Sequence, residues 1–135
     1  MMRLFLDANI LFSAALTPDG RAARLIELGG ELGFELVSSD YAVNEAIANL
    51  QRKYPAALSR LAGLLPQLRL MTWSAPEPCP IPLRDKDRPI LAAAIEGRCH
   101  ALITGDVRDF GKFMNQPGKT GGVAVCTLAQ FLEMK

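Results

Sequence analysis

The sequence predicts an α/β fold, a single domain over residues 1–135 with a central, mostly parallel five-stranded sheet flanked by helices. Three observations lead there. Short apolar segments ("LFL", "FELVS", "LRLMTW", "ALIT" and "VAVC") alternate with stretches of helical periodicity, the pattern of βαβ units. The run Ala101 to Thr104 is continuous rather than alternating, as a strand buried on both faces should be. Half of the 135 residues are hydrophobic, enough to bury a core without disulfides or structural metal.

The elements follow in order. Leu4 to Leu6 form a strand that meets Asp7, after which the chain turns helical until Pro18-Asp19-Gly20. "RAARLIELGG" is a helix with Ala22, Leu25, Ile26 and Leu28 apolar and two glycines to stop it. After the strand "FELVS", "SSDYAVNEAIANLQRKY" is helical, with Ser39 or Asp40 as N-cap and Val43, Ala46, Ile47 and Leu50 at helix spacing. Pro55 opens a further helix through Leu65, and Pro66 closes it. The third strand is "LRLMTW". The connection "SAPEPCPIPLRDKD" holds four of the nine prolines and reads as irregular and extended. "DRPILAAAIEG" is a helix with Pro89 in its first turn. Beyond "ALIT" come a short helix around Phe110 to Met114, the loop "NQPGKTGG", the strand "VAVC" and a closing helix "TLAQFLEMK" capped by Thr127.

Composition narrows the setting. Cys79, Cys99 and Cys126 are odd in number and contain no CxxC pair, which suits free thiols in a reducing cytoplasm. No run approaches membrane-spanning length, and the first apolar run is too short for a signal segment, so a soluble, cytoplasmic protein is expected. Net charge is only +1. With four of the 14 acids gathered in one site, however, 15 basic residues face ten acidic ones. Arg84, Lys86 and Arg88 surround Asp87, and Arg108 and Lys112 follow Asp106. An acidic site in a mildly basic surround suits a phosphodiester substrate with bound cations; ordinary solvated charge explains the same residues.

The acids share an address. Asp7 ends the first strand and Asp106 follows "ALIT", so in a parallel sheet both lie at one edge, where such sheets bind ligands. Asp87 opens a helix on the side of Ile90, Leu91 and Ala94, and Glu45 flanks the apolar stripe of its helix. Taken singly, Asp87 is most simply an N-cap or first-turn acid, Asp109 likewise before Phe110, and Glu45 a solvated helix acid. Asp7, inside "LFLDANILF", is harder to leave in solvent, and a buried carboxylate must be paired, protonated or metal-bound. Like charges about 4 Å apart repel by roughly 1 to 4 kcal/mol, so three or four gathered acids call for a divalent cation. All-oxygen ligands favour Mg²⁺ or Mn²⁺ over zinc. His100, the single histidine, reads as a packing or surface residue.

"LDANILFSAAL", "ELVSSDYAVNEAIANLQRKY" and "DKDRPILAAAIEGRCHALITGDVRDF" together resemble the PIN (PilT N-terminus) domain nucleases nearly end to end. The last stretch is the most specific, with an acid, an alanine-rich helix, a strand and T-G-D in one order. The resemblance implies a sheet of order 3-2-1-4-5 and a metal-dependent catalytic centre at Asp7, Glu45, Asp87 and Asp106, with Asp109 often contributing to the metal site. It further implies that Thr104 orients water or phosphate and that Asn9 is a polar residue behind the ligands. Many members are toxin ribonucleases neutralised by a cognate antitoxin, and many are dimers. The proline-rich connection around Cys79 is long for the smallest toxins.

The chemistry so implied is Mg²⁺- or Mn²⁺-dependent hydrolysis of RNA, with cations held by Asp7, Asp87, Asp106 and Asp109 and with Glu45 orienting water. The alternative is a catalytically inactive PIN-like module that binds RNA or protein. A covalent route lacks a Ser-His-Asp or Cys-His set. An aspartyl phosphatase would want an aspartate where Asn9 stands, and a receiver domain would want its phosphoacceptor after a middle strand, where "LRLMTW" offers none.

Overall fold

The computed structural model describes residues 1–72 and 79–133. One five-stranded sheet, all of its pairs parallel, has the order β3-β2-β1-β4-β5, as the resemblance implied. The strands are β1 (Met2–Leu6), β2 (Phe34–Ser39), β3 (Arg69–Met71), β4 (Ala101–Ile103) and β5 (Ala124–Cys126). The central strands are the most apolar: Leu4, Phe5, Leu6, Leu102 and Ile103 are wholly buried.

Helices α1 (Ala8–Leu16) and α2 (Arg21–Leu28) join β1 to β2, and α3 (Asp40–Lys53) and α4 (Leu58–Leu64) join β2 to β3. These four pack on one another around α1. Helix α5 (Arg88–Glu96) leads into β4 and packs on β2 and β4. Winding reverses direction after β3, and right-handed crossovers then require α5 to cover the opposite face. The reversal leaves a switch point between β1 and β4, and a crevice opens there beyond the carboxyl ends of the strands. Leu6 pairs with Ile103 in register, so the residues that follow, Asp7 and Thr104, sit side by side at that opening.

Most helix boundaries obey the local chemistry. Of the two candidates for the cap of α3, Ser39 fills the role: its Oγ accepts from the Ala42 N–H at 3.1 Å. Thr127 caps α7 (Leu128–Glu133) reciprocally, its hydroxyl accepting from the Gln130 N–H while the Gln130 amide oxygen accepts from the Thr127 N–H.

Three boundaries differ from expectation. The segment after Pro55 is a 3₁₀ turn (Pro55–Ala57), then α4, then a second 3₁₀ turn (Leu65–Gln67) that holds Pro66 inside it instead of ending before it. The short helix after β4 is α6 (Val107–Phe110), not Phe110 to Met114; Asp106 caps it, and Gly111, at a φ of +43°, ends it before a 3₁₀ turn over Gly111–Phe113. The third strand is only Arg69–Met71, and the expected end at Trp73 lies outside the described residues. So do residues 74–78 of the proline-rich connection and Met134 and Lys135 of the closing helix.

The three cysteines are free, Cys99 and Cys126 buried and Cys79 half-buried. Burial pushes the Cys99 and Cys126 thiols up to about 11, so they pack as small apolar groups. His100 lies at the amino end of β4, away from the acids, and its Nδ1 accepts from the Arg3 N–H at 2.9 Å.

Candidate active site

A cleft of about 230 Å³ occupies the switch point, and Asp7, Asn9, Glu45, Asp87 and Asp106 all line it. Five different places in the chain supply them: the end of β1, the first turn of α1, the middle of α3, and the starts of α5 and α6.

Asp7 is only 4% exposed and caps α1. Its Oδ1 accepts from the Ala8 N–H at 2.6 Å, and its Oδ2 accepts from the Thr104 hydroxyl at 2.7 Å. Burial pushes this carboxyl up to about 6, against the two hydrogen bonds, and Glu45 and Asp106 add to the rise. Among the described residues no arginine or lysine pairs with it.

Thr104 and Asn9 behave as a polar support. The Thr104 hydroxyl also accepts from the Asp106 N–H at 3.0 Å. Asn9 donates through Nδ2 to Asp7 Oδ2 and Thr104 Oγ1, both at 3.4 Å, and its Oδ1 accepts from the Gly105 N–H at 2.8 Å. Gly105, between Thr104 and Asp106, is not required by a close approach of the backbone. Its φ is not in the left-handed region, and an added Cβ would make only an ordinary contact with Asn9 Oδ1 at 3.4 Å.

Asp87 does not cap α5. Its backbone is already helical, at φ −95° and ψ −19°, which turns the side chain inward instead of onto the first N–H groups. It is 5% exposed, and its Oδ2 has no hydrogen-bond partner among the described residues. An unsatisfied buried carboxylate oxygen is expensive. Burial, the adjoining Asp109 and Asp106 push Asp87 up to about 7, with Lys86 opposing. Asp87 and Asp109 lie close enough to share a proton; that contact, Asp106 and Arg84 hold Asp109 below its ordinary value.

Of the two roles open to Asp109, helix cap or first-turn acid, it takes the second. Asp106 is the cap, its Oδ1 accepting from the Asp109 N–H at 3.1 Å. Asp109 lies inside α6 and forms an ion pair of 3.3 Å with Arg84.

One carboxylate oxygen each from Asp87, Asp106 and Asp109 lies within 4.8 Å of the others. Asp7 is not in that close group, because its oxygens turn toward Thr104 and the start of α1, although it faces the same cleft. Glu45 is half-buried and farther along the wall, raised above its ordinary value mainly by burial. The donor set suits a hard divalent cation: three clustered carboxylates, one from buried Asp87, with no histidine or thiol in the group among the described residues.

The sequence did not point to two residues of the lining, Asn49 and Lys53. The signal was there: from Glu45 they follow at four-residue steps, one face of α3.

Residues 3–108 match the family model of the PIN domain. The chain belongs to the PIN domain family. Solved structures share this PIN fold. The VapBC2 complex of Rickettsia felis bound to a promoter DNA fragment includes a chain that is 16% identical, with a TM-score of 0.68, over 93% of this chain and 98% of that one. The DNA-bound VapBC of Salmonella typhimurium gives 13% identity and a TM-score of 0.66 over 94% and 98%. The Mycobacterium tuberculosis VapC20 toxin, which cleaves the sarcin-ricin loop, gives 13% and 0.53 over 73% and 86%. A comparison with curated proteins finds no match. Among the described residues of this PIN domain, no helix is long and apolar enough to cross a membrane.

Proposed function

We propose that this PIN domain is a divalent-metal-dependent endoribonuclease, the chain acting as one nuclease domain and as the toxin of a toxin–antitoxin pair. The observation that carries the reading is Asp87, whose buried Oδ2 has no hydrogen-bond partner among the described residues and whose carboxylate clusters with those of Asp106 and Asp109 in an acid-lined cleft.

Asp87, Asp106 and Asp109 would hold Mg²⁺ or Mn²⁺, with Asp7, which lines the same cleft, as a further ligand. When bound, the ion offsets phosphate charge and makes water a better nucleophile. Asp7 is held by Thr104 and the Ala8 N–H, which limits its freedom to turn. Glu45, raised by burial and lining the same cleft, would orient water and accept its proton. Lys86 supplies positive charge beside Glu45 and Asp87, which favours an anionic substrate in a cleft otherwise acidic.

The toxin assignment rests on likeness of fold to VapC toxin structures, and a cognate antitoxin and a homodimer are proposed with it. Purified protein incubated with an RNA pool in Mn²⁺ or in EDTA tests the activity. Cleavage confined to the Mn²⁺ reaction is expected, and equal RNA loss in both contradicts it.

A further inference from the structure

The wall of the cleft continues past the acids. Along α3, Glu45, Asn49 and Lys53 project in one row, and the eight residue steps from first to last span ~12 Å of helix. Lys53 forms no ion pair among the described residues. Arg52, beside it, donates to Asn49 Oδ1 at 2.8 Å, which brings a second cation to the row.

An aromatic pair stands at the far end. Phe12 lines the cleft, and the Tyr54 ring meets it edge-on, with centroids 6.0 Å apart and planes at 62°. Tyr54 is nevertheless 48% exposed. Its backbone is fixed from both sides: its N–H donates to Leu50 O at 2.7 Å and its carbonyl accepts from the Ala57 N–H at 3.0 Å, with Pro55 between. A half-open aromatic ring on a fixed backbone, beside Lys53 and Arg52 and on a path leading away from clustered carboxylates, is the combination used by single-strand nucleic-acid grooves.

We propose that Tyr54 and Phe12, with Lys53, form a subsite for an unpaired nucleotide flanking the scissile bond, its base on the Tyr54 ring and its phosphate at Lys53. This rests on the nuclease reading and adds to it which residues position the substrate. Tyr54 and Lys53 are positioning residues, remote from the bond that breaks.

The test is binding of a short labelled single-stranded RNA, followed by fluorescence anisotropy in an Asp7→Asn background that suppresses turnover. Tyr54→Leu, which keeps an apolar side chain against Phe12, is expected to weaken binding at least fivefold, and Tyr54→Phe to leave it unchanged. Among RNAs carrying one abasic nucleotide at successive positions, one should lose the same factor with Tyr54 present and nothing further in Tyr54→Leu. Lys53→Ala should flatten the slope of log Kd against log salt by about 0.7 to 1. Equal binding by Tyr54→Leu and Tyr54→Phe, or an abasic series without a weakened member in the Tyr54-containing protein, overturns the subsite and leaves the nuclease reading standing. Absence of any RNA binding by the parent protein overturns both.

Discussion

The Thr104 hydroxyl donates to Asp7 Oδ2 at 2.7 Å, joining two strand ends 97 residues apart in the chain. The same oxygen accepts from the Asp106 N–H, so one small side chain sets a carboxylate of β1 and the loop after β4 together. Thr104→Val removes both bonds, and the weaker one from Asn9 Nδ2, without changing shape. Stability should fall by about 1 to 3 kcal/mol, because a buried carboxylate loses a donor and an N–H loses its acceptor. Thr104→Ser should cost well under half of that. Denaturant melts of the two variants side by side provide the check, and equal stabilities would remove the hydroxyl from the network.

Stability should also depend on pH in a direction set by burial. Asp7 is raised from 3.8 to about 6, and Asp87 to about 7. Between the ordinary value and these raised ones the folded chain binds more protons than the unfolded chain. Stability from these groups is therefore fully present below about pH 4 and lost as pH rises to about 7. For Asp7 the loss is on the order of 3 kcal/mol. Glu35 and Asp109, held low by their partners, act oppositely as pH falls through 4.5 and 3.8. In EDTA, the melting temperature is expected to drop steadily from about pH 4.5 to pH 7.5. A rise across that window contradicts the burial argument.

Asp106 has two tasks that substitutions can separate. As the cap of α6 it should cost about 1 kcal/mol on change to alanine, even without metal. Asp106→Asn keeps an acceptor for the Asp109 N–H, so its metal-free stability should match that of the unaltered chain while the Mn²⁺-induced rise in melting temperature disappears. Asp109→Ala leaves the cap in place, and its ion pair with a 63%-exposed Arg84 contributes little. Melting with and without Mn²⁺ distinguishes the three. An Mn²⁺ shift preserved in Asp106→Asn sinks the ligand assignment.

Much of this arrangement is legible in the sequence. The apolar run at Ala101–Ile103 and the strand at Leu4–Leu6 required a parallel sheet, and a parallel sheet brings Asp7 and Asp106 to one edge whatever their separation. The capping roles were less legible. Asp87, Asp106 and Asp109 each precede or open a helix, and composition alone cannot say which backbone is extended and which already helical. The structure decides it: Asp106 has the cap geometry, while Asp87 continues a turn from Arg84 and is driven inward. Lys53 was missed because an exposed lysine on a helix is ordinary; only its alignment with Glu45 and Asn49, and the way the cleft runs along α3, give it a direction.

Asp87 concentrates the central claim, since its buried Oδ2 has no hydrogen-bond partner among the described residues. Asp87→Asn is nearly isosteric and removes a buried charge, so the metal-free protein should be at least as stable above pH 7. The most direct measurement is the rate of RNA cleavage by Asp87→Asn at saturating Mn²⁺, beside the unaltered protein prepared in parallel. A fall of about 100-fold or more, with RNA binding retained, is expected from the loss of a ligand that acts on the transition state. Undiminished cleavage by Asp87→Asn would contradict a catalytic metal centre at this switch point.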